Sequence, residues 1–186
     1  MTAAKPKLDI DVTRERLTAL GCAYAAEQLD NLLNEAVRGE IAPHAFLDLL
    51  LRAEQSGREA RRVKTSLKLS NLPAGQTLEN FDFAFQPAIE RSRIDTLATC
   101  AWVREAETVL IQGPPGVGKT HLCVGLGIRA VEQGFSVQYF RFDELMTALT
   151  ADTGLPPARI KRRKYMATAL LLIDELGFEP MSRPEV

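Results

Sequence analysis

The chain has 186 residues, of which 46% are hydrophobic and 25% are charged, and its formal net charge is −1. This length allows one full hydrophobic core, or one core with a small helical appendage, and the composition is that of an ordinary soluble globular protein. No run approaches the roughly 20 apolar residues of a membrane span, and the first residues lack the apolar stretch of a secretory signal. These features predict a cytoplasmic protein without a membrane segment.

The first third of the chain is predicted to be helical. Apolar residues between Thr13 and Gly39 recur at three- and four-residue steps, which predicts a helix interrupted near Gly21. Gly39 suits the left-handed C-terminal cap of that helix. A further helix is predicted to begin at Pro43 and to continue into a basic stretch. Residues 1–68 are therefore expected to form a small all-helical N-terminal module.

Residues 69–88 differ in character from the helices before them. Pro73, Gly75 and Pro87 break regular structure. Phe81, Phe83 and Phe85 alternate as they do in a short extended segment. We expect a linker that packs its aromatic side chains onto the domain that follows.

Residues 89–186 alternate between short apolar runs and helical patterns. Strands are predicted at 108–112, 136–140 and 169–173, and helices at 88–105, at 121–133 before Gly134, at 143–151 with Asp143 as cap, and after Pro156. This alternation predicts an α/β fold in which a parallel sheet carries helices on both faces.

A phosphate-binding loop is predicted directly after the first of these strands, because residues 113–120 match the pattern G-x-x-x-x-G-K-[ST]. Its glycines let successive backbone N–H groups face one point, and the helix that follows adds the positive end of its dipole. The lysine can reach the β- and γ-phosphates, and the threonine hydroxyl can bind Mg²⁺. His121 either lies near phosphate or packs against its neighbours. The candidate nucleotide-binding residues are Gly113, Pro114, Pro115, Gly116, Val117, Gly118, Lys119, Thr120 and His121.

Two acidic residues follow the last predicted strand. Asp174 stands where the apolar run 170–173 ends, so it can hold the water shell of Mg²⁺. The adjacent Glu175 is suited to polarise an attacking water as a general base. Lys119 and Glu175 are thus the candidate catalytic residues. The chain lacks the N-K-x-D signature of guanine recognition, so ATP is the expected nucleotide.

The nearly neutral net charge conceals two groups of basic residues. The first basic cluster lies within residues 52–68 and includes Arg58, Arg61, Arg62 and Lys64, and the second lies within residues 159–164 and includes Arg162 and Arg163. Exposed basic runs commonly form only a solvated helix face. The functional alternative is contact with the phosphates of nucleic acid.

Residues 72–83, 113–122 and 170–180 together resemble the IstB-like ATPases of insertion sequences, which are similar to the DnaC-type helicase loaders of the AAA+ class. The segment from Thr77 to Phe83 and the pair Thr120-His121 favour this family over other P-loop proteins. The resemblance covers almost the whole chain. It implies an AAA+ P-loop NTPase that forms homo-oligomers on DNA and assists a transposase, with N-terminal helices that contact DNA or the transposase.

The resemblance also raises an expectation about the end of the chain. In the family, further helices and two strands follow the strand that ends at Asp174, whereas this sequence ends at Val186. One of those strands lies between the P-loop strand and the strand 169–173, so we expect a gap in the middle of the sheet. They also bring a polar sensor residue and an arginine that acts on a neighbouring subunit. Slow or absent ATP hydrolysis is therefore expected of the chain as given.

Three functions remain open at the level of sequence. The leading one is a DNA-associated ATPase that assists a transposase. A DnaC-like helicase loader would have the same nucleotide chemistry and a replicative helicase as its partner. A non-catalytic remnant that binds nucleotide or DNA without turnover is the third. The sequence does not distinguish the two partners, the DNA preference or the number of subunits.

Overall fold

The computed structural model describes residues 9–176, and the chain divides into two compact units. The first unit ends at Arg62 and the second begins at Val63. The division falls inside one long helix, which ends at Leu69. Residues 177–180 of the family-like segment lie outside the described part of the chain.

The first unit consists of helices α1 (Ile10–Ala19), α2 (Ala23–Arg38) and the first part of α3 (Pro43–Leu69). The predicted interruption near Gly21 is confirmed, since this glycine has a φ of 77° between α1 and α2. The left-handed cap predicted at Gly39 is wrong. Gly39 has a φ of −91°, and the residue with positive φ is Glu40.

A buried carboxylate joins α2 to α3. Glu54 is 7% exposed and accepts a hydrogen bond of 3.0 Å from the backbone N–H of Ala25. Helix α2 has no side-chain cap of its own, so Glu54 satisfies one of the first N–H groups of that helix. Arg58 donates to the same carboxylate at 2.6 Å. The N–H of Ala25 and the nearby Arg58 hold the pKa of Glu54 below its ordinary value.

The second unit has a parallel pair of strands at its centre. Strands β1 (Val137–Arg141) and β2 (Leu170–Asp174) pair in the register Val137 with Leu170 through Arg141 with Asp174. Helices α6 and α7 each contact both strands. The remaining elements are short or flank this pair: the 3₁₀ helix Leu78–Asn80, α4 (Arg91–Ala98), α5 (Ala101–Arg104), α6 (Lys119–Glu132), α7 (Phe142–Ala151), α8 (Pro157–Ile160) and α9 (Lys164–Ala167). This is the predicted α/β fold of a P-loop NTPase.

The segment 108–112 differs from its prediction, because it is not a strand of the sheet. Within residues 9–176 the sheet contains β1 and β2 alone. A cavity of about 600 Å³ is lined both by residues 108–111 and by β2, so the segment has no strand beside it to share backbone hydrogen bonds. Leu110 is 67% exposed. The gap expected between the P-loop segment and β2 is therefore present among the described residues.

Three local predictions differ from the structure. The helix expected at 88–105 is divided at Cys100, which is fully buried with a φ of 55°, between α4 and α5. The expected extension through Phe85 ends in a turn, because the Asp82 carboxylate accepts hydrogen bonds from the N–H groups of Ala84 and Phe85. Asp143 lies in the first turn of α7, and Arg141 occupies the N-cap.

The core of the second unit has two clusters. The larger one packs one face of α6 on the strands and contains Cys100, Ala130, Val131, Val137, Leu170 and Leu172. The smaller one contains Phe81, Ile94 and Leu122, and so joins the predicted linker to α4 and α6. Among the helices of residues 9–176, none is long and apolar enough to cross a bilayer.

Candidate nucleotide-binding site

The loop of residues 113–118 leads directly into α6. Gly116 and Gly118 have φ values of 80° and 90°, a conformation that glycine adopts without steric cost. Gly118 is the N-cap of α6, and no side chain caps this helix. The first N–H groups of α6 thus have no capping side chain. They lie at the N-terminal end of the helix, where the helix dipole favours an anion.

Phe81 supports the loop from the side. A Cβ atom added at Gly118 would lie 2.6 Å from Cε2 of Phe81, so the two residues are packed at contact distance. Phe81 is buried and meets the ring of His121 edge-on at 5.2 Å between centroids. At Gly116, by contrast, an added Cβ would meet nothing within 4 Å. The loop is therefore packed against Phe81 at Gly118 and has open space beside Gly116.

His121 faces the segment before the P-loop. Its Nε2 lies 2.8 Å from the carbonyl oxygen of Thr77 and 2.8 Å from Oδ1 of Asn80. Asn80 also accepts a hydrogen bond from the N–H of Thr77 and donates one to the carbonyl of Gly75. Of the two roles considered for His121, these contacts favour packing. The segment from Thr77 to Phe83 thereby holds the first turn of α6.

Lys119 folds back over the loop. Its Nζ donates a hydrogen bond of 2.8 Å to the carbonyl oxygen of Pro114. The ammonium group is therefore at the mouth of the loop, where phosphate oxygens can replace a carbonyl as acceptor. The next residue, Thr120, is half-buried in the first turn of α6.

The two acidic residues are held by side chains of the neighbouring strand. Asp174 Oδ2 accepts a hydrogen bond of 2.9 Å from the hydroxyl of Tyr139, and its Oδ1 accepts one of 2.9 Å from the N–H of Glu175. Glu175 has a φ of 61°, and its carboxylate lies 2.7 Å from Nη2 of Arg141. Tyr139 and Arg141 both belong to β1.

One cavity brings the loop and the acids together. The 600 Å³ cavity beside β2 is lined, among others, by Lys119, Thr120, Cys123, Asp174 and Glu175. Burial, with a smaller contribution from the charge of Asp174, raises the pKa of the Cys123 thiol to about 11. Cys123 thus stays protonated at neutral pH and acts as a packing residue. Lys119 also borders a second cavity of about 700 Å³, together with Gly113, Pro114, Ile89 and Ile94.

The basic clusters are only partly available for ligands. Arg58 donates to Glu54 and to the carbonyl of Gly21, Arg62 donates to Glu59, and Arg163 pairs with Asp152. Arg61, Lys64 and Arg162 have exposed side chains. Within the first basic cluster, Arg61 of the first unit and Lys64 and Lys68 of the second unit are exposed.

Sequence reasoning missed Tyr139 and Arg141. The available signal was their position at the end of a predicted strand that precedes the acidic one. The carboxyl ends of neighbouring parallel strands meet at the same edge of a sheet, so polar residues there come together. The pairing of β1 with β2 was needed to show which acid each one meets.

A comparison with protein families agrees with this geometry. The model of the family described as IstB-like ATP binding protein matches residues 15–186. The chain belongs to the IstB-like ATP-binding family. The match includes the P-loop, both acids and most of the helical N-terminal unit.

Individual IstB-like relatives come from several bacteria. The chain is 36% identical over 169 residues to a protein of Pseudomonas aeruginosa described as an ATP-binding protein of insertion sequence IS21. The aligned residues cover 91% of this chain and 64% of that protein. It is 33% identical to an ATP-binding protein of IS5376 in Geobacillus stearothermophilus, over 82% of this chain and 61% of that one. A Bacteroides fragilis relative, described as IS21-like, is 32% identical, with 86% and 61% covered. The chain thus spans less than two thirds of the length of these relatives.

Proposed function

We propose that this chain binds ATP together with Mg²⁺ at the P-loop and serves as the DNA-associated ATPase partner of a transposase. The observation that carries the first part is the cavity whose wall contains the P-loop lysine, the α6 threonine and both acids. The names of the relatives, which are ATP-binding proteins of insertion sequences, support the same nucleotide and the same biological setting.

Each residue of the loop has a distinct role in binding the triphosphate. The N–H groups around Gly116 and Gly118 donate to phosphate oxygens. A phosphate can approach the loop at Gly116, because a Cβ added there would meet nothing within 4 Å. Lys119 exchanges the carbonyl of Pro114 for the β- and γ-phosphates. The 700 Å³ cavity next to Gly113 and Pro114 has apolar walls from Ile89 and Ile94 and offers room for the base.

The donor atoms at the cavity fit Mg²⁺. Thr120 contributes a hydroxyl and Asp174 a carboxylate, and hard oxygen ligands are those that this ion prefers. The described residues contain no group of three or more His, Cys, Asp or Glu side chains able to enclose a metal. A site with few protein ligands suits an ion that keeps several waters and shares the phosphates. When bound, Mg²⁺ neutralises charge on the phosphates.

Glu175 is the candidate general base for hydrolysis. Its carboxylate lies on the wall of the same cavity and is held by Arg141 at 2.7 Å. From there it can accept a proton from a water that attacks the γ-phosphate. Lys119 stabilises the charge that develops on the transferred group.

Lys119→Ala tests the proposal for ATP. A charge-assisted hydrogen bond contributes about 1.5–3 kcal/mol, so the variant should bind a fluorescent ATP analogue about tenfold or more weakly. Lys161→Ala removes an equal charge from an exposed position in the second basic cluster and serves as the control. Equal affinities of the wild type and Lys119→Ala would overturn the assignment of the loop.

The proposal for DNA rests on the exposed part of the basic clusters. Lys64 and Lys68 are exposed and lie four residues apart on one face of α3, within the second unit. Such a row matches the phosphates of a nucleic-acid backbone and reads no base. Arg58, Arg62 and Arg163 are engaged in ion pairs and are weaker candidates.

A double variant, Lys64→Ala with Lys68→Ala, tests DNA binding. If both residues contact phosphates, affinity falls for every DNA sequence, and the slope of log K against log salt decreases by about 0.9 per contact. Arg16→Ala with Arg38→Ala makes the same change in charge on α1 and α2 and serves as control. An unchanged salt slope would make the first basic cluster a solvated helix face.

A transposase is favoured over a replicative helicase because the relatives are proteins of insertion sequences. A complex with the transposase of the same element, and none with a replicative helicase, is expected in size-exclusion chromatography coupled to light scattering. The same measurement with and without ATP tests the proposed homo-oligomer. Association with the helicase alone would support the helicase-loader function.

A further inference from the structure

Tyr139 has a position that the proposed nucleotide chemistry does not yet use. It lies on β1, opposite Leu172, and its hydroxyl reaches along β2 to donate to Asp174 Oδ2 at 2.9 Å. The other carboxylate oxygen, Oδ1, accepts the N–H of Glu175. Both oxygens of Asp174 thus have one fixed donor.

Two fixed donors determine how the carboxylate is turned. The terminal torsion of an aspartate is soft, so an unsupported carboxylate rotates over a wide range. Each carboxylate oxygen accepts about two hydrogen bonds, which leaves one lone-pair direction on each for a metal ion or its water. A tyrosine phenol is protonated at neutral pH, so the Tyr139 hydroxyl serves as the donor in this hydrogen bond.

We propose that Tyr139 is a positioning residue for Mg²⁺, and that it orients the Asp174 carboxylate so that its remaining lone pairs face the P-loop. This inference rests on the proposed binding of Mg²⁺ and ATP. Hydrogen-bond partners of metal ligands commonly contribute 10- to 100-fold to metal affinity. Tyr139 acts through Asp174 and is not itself a metal ligand in this proposal.

The chain contains a matched tyrosine for comparison. The hydroxyl of Tyr165 donates to Oδ2 of Asp152 at 2.7 Å, in the same unit. Neither Tyr165 nor Asp152 lines the cavity of the P-loop. Tyr165→Phe thus removes a similar tyrosine–aspartate hydrogen bond without touching the proposed site.

The test is a titration of Mg²⁺ at a fixed concentration of a fluorescent ATP analogue, with parallel binding in EDTA. Tyr139→Phe keeps the ring and loses the hydroxyl, so the Mg²⁺ concentration at half-saturation should rise about tenfold. Binding in EDTA should stay unchanged, and Tyr165→Phe should match the wild type in both conditions. In an Asp174→Asn background, Tyr139→Phe should add no further effect.

Three results would overturn the inference. An unchanged Mg²⁺ requirement of Tyr139→Phe, when the wild type responds to Mg²⁺, would remove Tyr139 from the site and leave the proposed function standing. An equal loss of affinity in EDTA would assign Tyr139 to the loop structure. A wild type that binds no analogue in either condition would overturn the proposed function, and the inference with it. Circular dichroism of each variant confirms that the fold is retained.

Discussion

At the scale of single residues, the two P-loop glycines with positive φ differ in their surroundings. Gly116 and Gly118 both adopt a conformation that costs an L-residue about 1–2 kcal/mol. Only Gly118 is in contact with a neighbour, the ring of Phe81. The shape of the loop therefore depends on glycine at both positions, and on an aromatic support at one of them.

Alanine substitutions should separate these two effects. Gly116→Ala should lower the free energy of unfolding of the second unit by about 1–2 kcal/mol, whereas Gly118→Ala should cost a further 1–3 kcal/mol from overpacking. Urea unfolding followed by the fluorescence of Trp102, the one tryptophan, measures both. In a Phe81→Ala background the extra loss at Gly118 should disappear. Equal losses in the wild-type background would show that Phe81 does not support the loop.

The residue scale also shows which parts of the site the sequence reveals. Lys119 and Asp174 belong to local patterns in which a few neighbouring residues specify the backbone, so the sequence alone suggests the role that is proposed for each. Tyr139 and Arg141 reach the acids across a strand pair, and this contact depends on register. Side-chain partners that depend on register are not encoded in any one segment.

At the scale of elements, helices α2 and α3 approach closely where Gly57 faces Tyr24. A Cβ added at Gly57 would lie 2.7 Å from the Cβ of Tyr24. That atom is fixed to the backbone of α2 and cannot rotate away. The glycine therefore allows the two helices to pack at this distance, although it has a lower helix propensity than alanine.

Gly57→Ala should change the stability of the first unit in two opposite ways, through helix propensity and through packing. Alanine favours the helix by about 1 kcal/mol, whereas overpacking costs about 1–3 kcal/mol, so net destabilisation of the first unit is expected. Ser56→Ala, at an exposed neighbouring position, should not destabilise it. Native-state hydrogen exchange of α2 amides measures both variants. Slower exchange in Gly57→Ala than in the wild type would contradict the close packing.

Asp152 joins the end of α7 to the segment of the second basic cluster. Its buried carboxylate accepts from Tyr165 and pairs with Arg163. The hydrogen bond from Tyr165, followed by Arg163, lowers the pKa of Asp152 below its ordinary value. A lowered pKa in the folded state means that the ionised form stabilises the fold above the ordinary value of about 3.9, and that this stabilisation is lost as the pH falls through the folded pKa.

Asp152→Asn should therefore destabilise the second unit at pH 7 and much less at low pH. Urea midpoints from Trp102 fluorescence between pH 7 and pH 3 should show the difference from the wild type shrinking below about pH 3.9. Asp95→Asn, at an exposed position on α4, should show no such trend. A difference that is constant over the whole range would show that the charge of Asp152 does not stabilise this unit.

The success of prediction varied among elements for physical reasons. Strands β1 and β2 lie within one residue of their predicted bounds, and they pair with each other. The segment 108–112 is also a short, largely apolar run, but it has no neighbouring strand among the described residues. The division at Cys100 was not predicted, since a left-handed conformation in a non-glycine residue is set by the tertiary packing around that buried side chain.

At the scale of the whole molecule, two compact units have different roles in the proposed function. The unit from Val63 contains the P-loop, both acids and the strands that hold them. The unit that ends at Arg62 is helical and includes Arg61 of the first basic cluster. The proposed function thus places ATP binding in the second unit and DNA contact on α3.

Hydrogen exchange with mass spectrometry tests the central claim most directly, because it locates the bound nucleotide along the chain. Addition of ATP and Mg²⁺ should slow amide exchange in residues 113–122, where the proposal places the backbone N–H groups that bind phosphate. The same addition to Lys119→Ala, at the same ATP concentration, should give much weaker protection. Protection in Lys119→Ala equal to that of the wild type, or protection confined to residues outside 113–122, would contradict an ATP site at this loop.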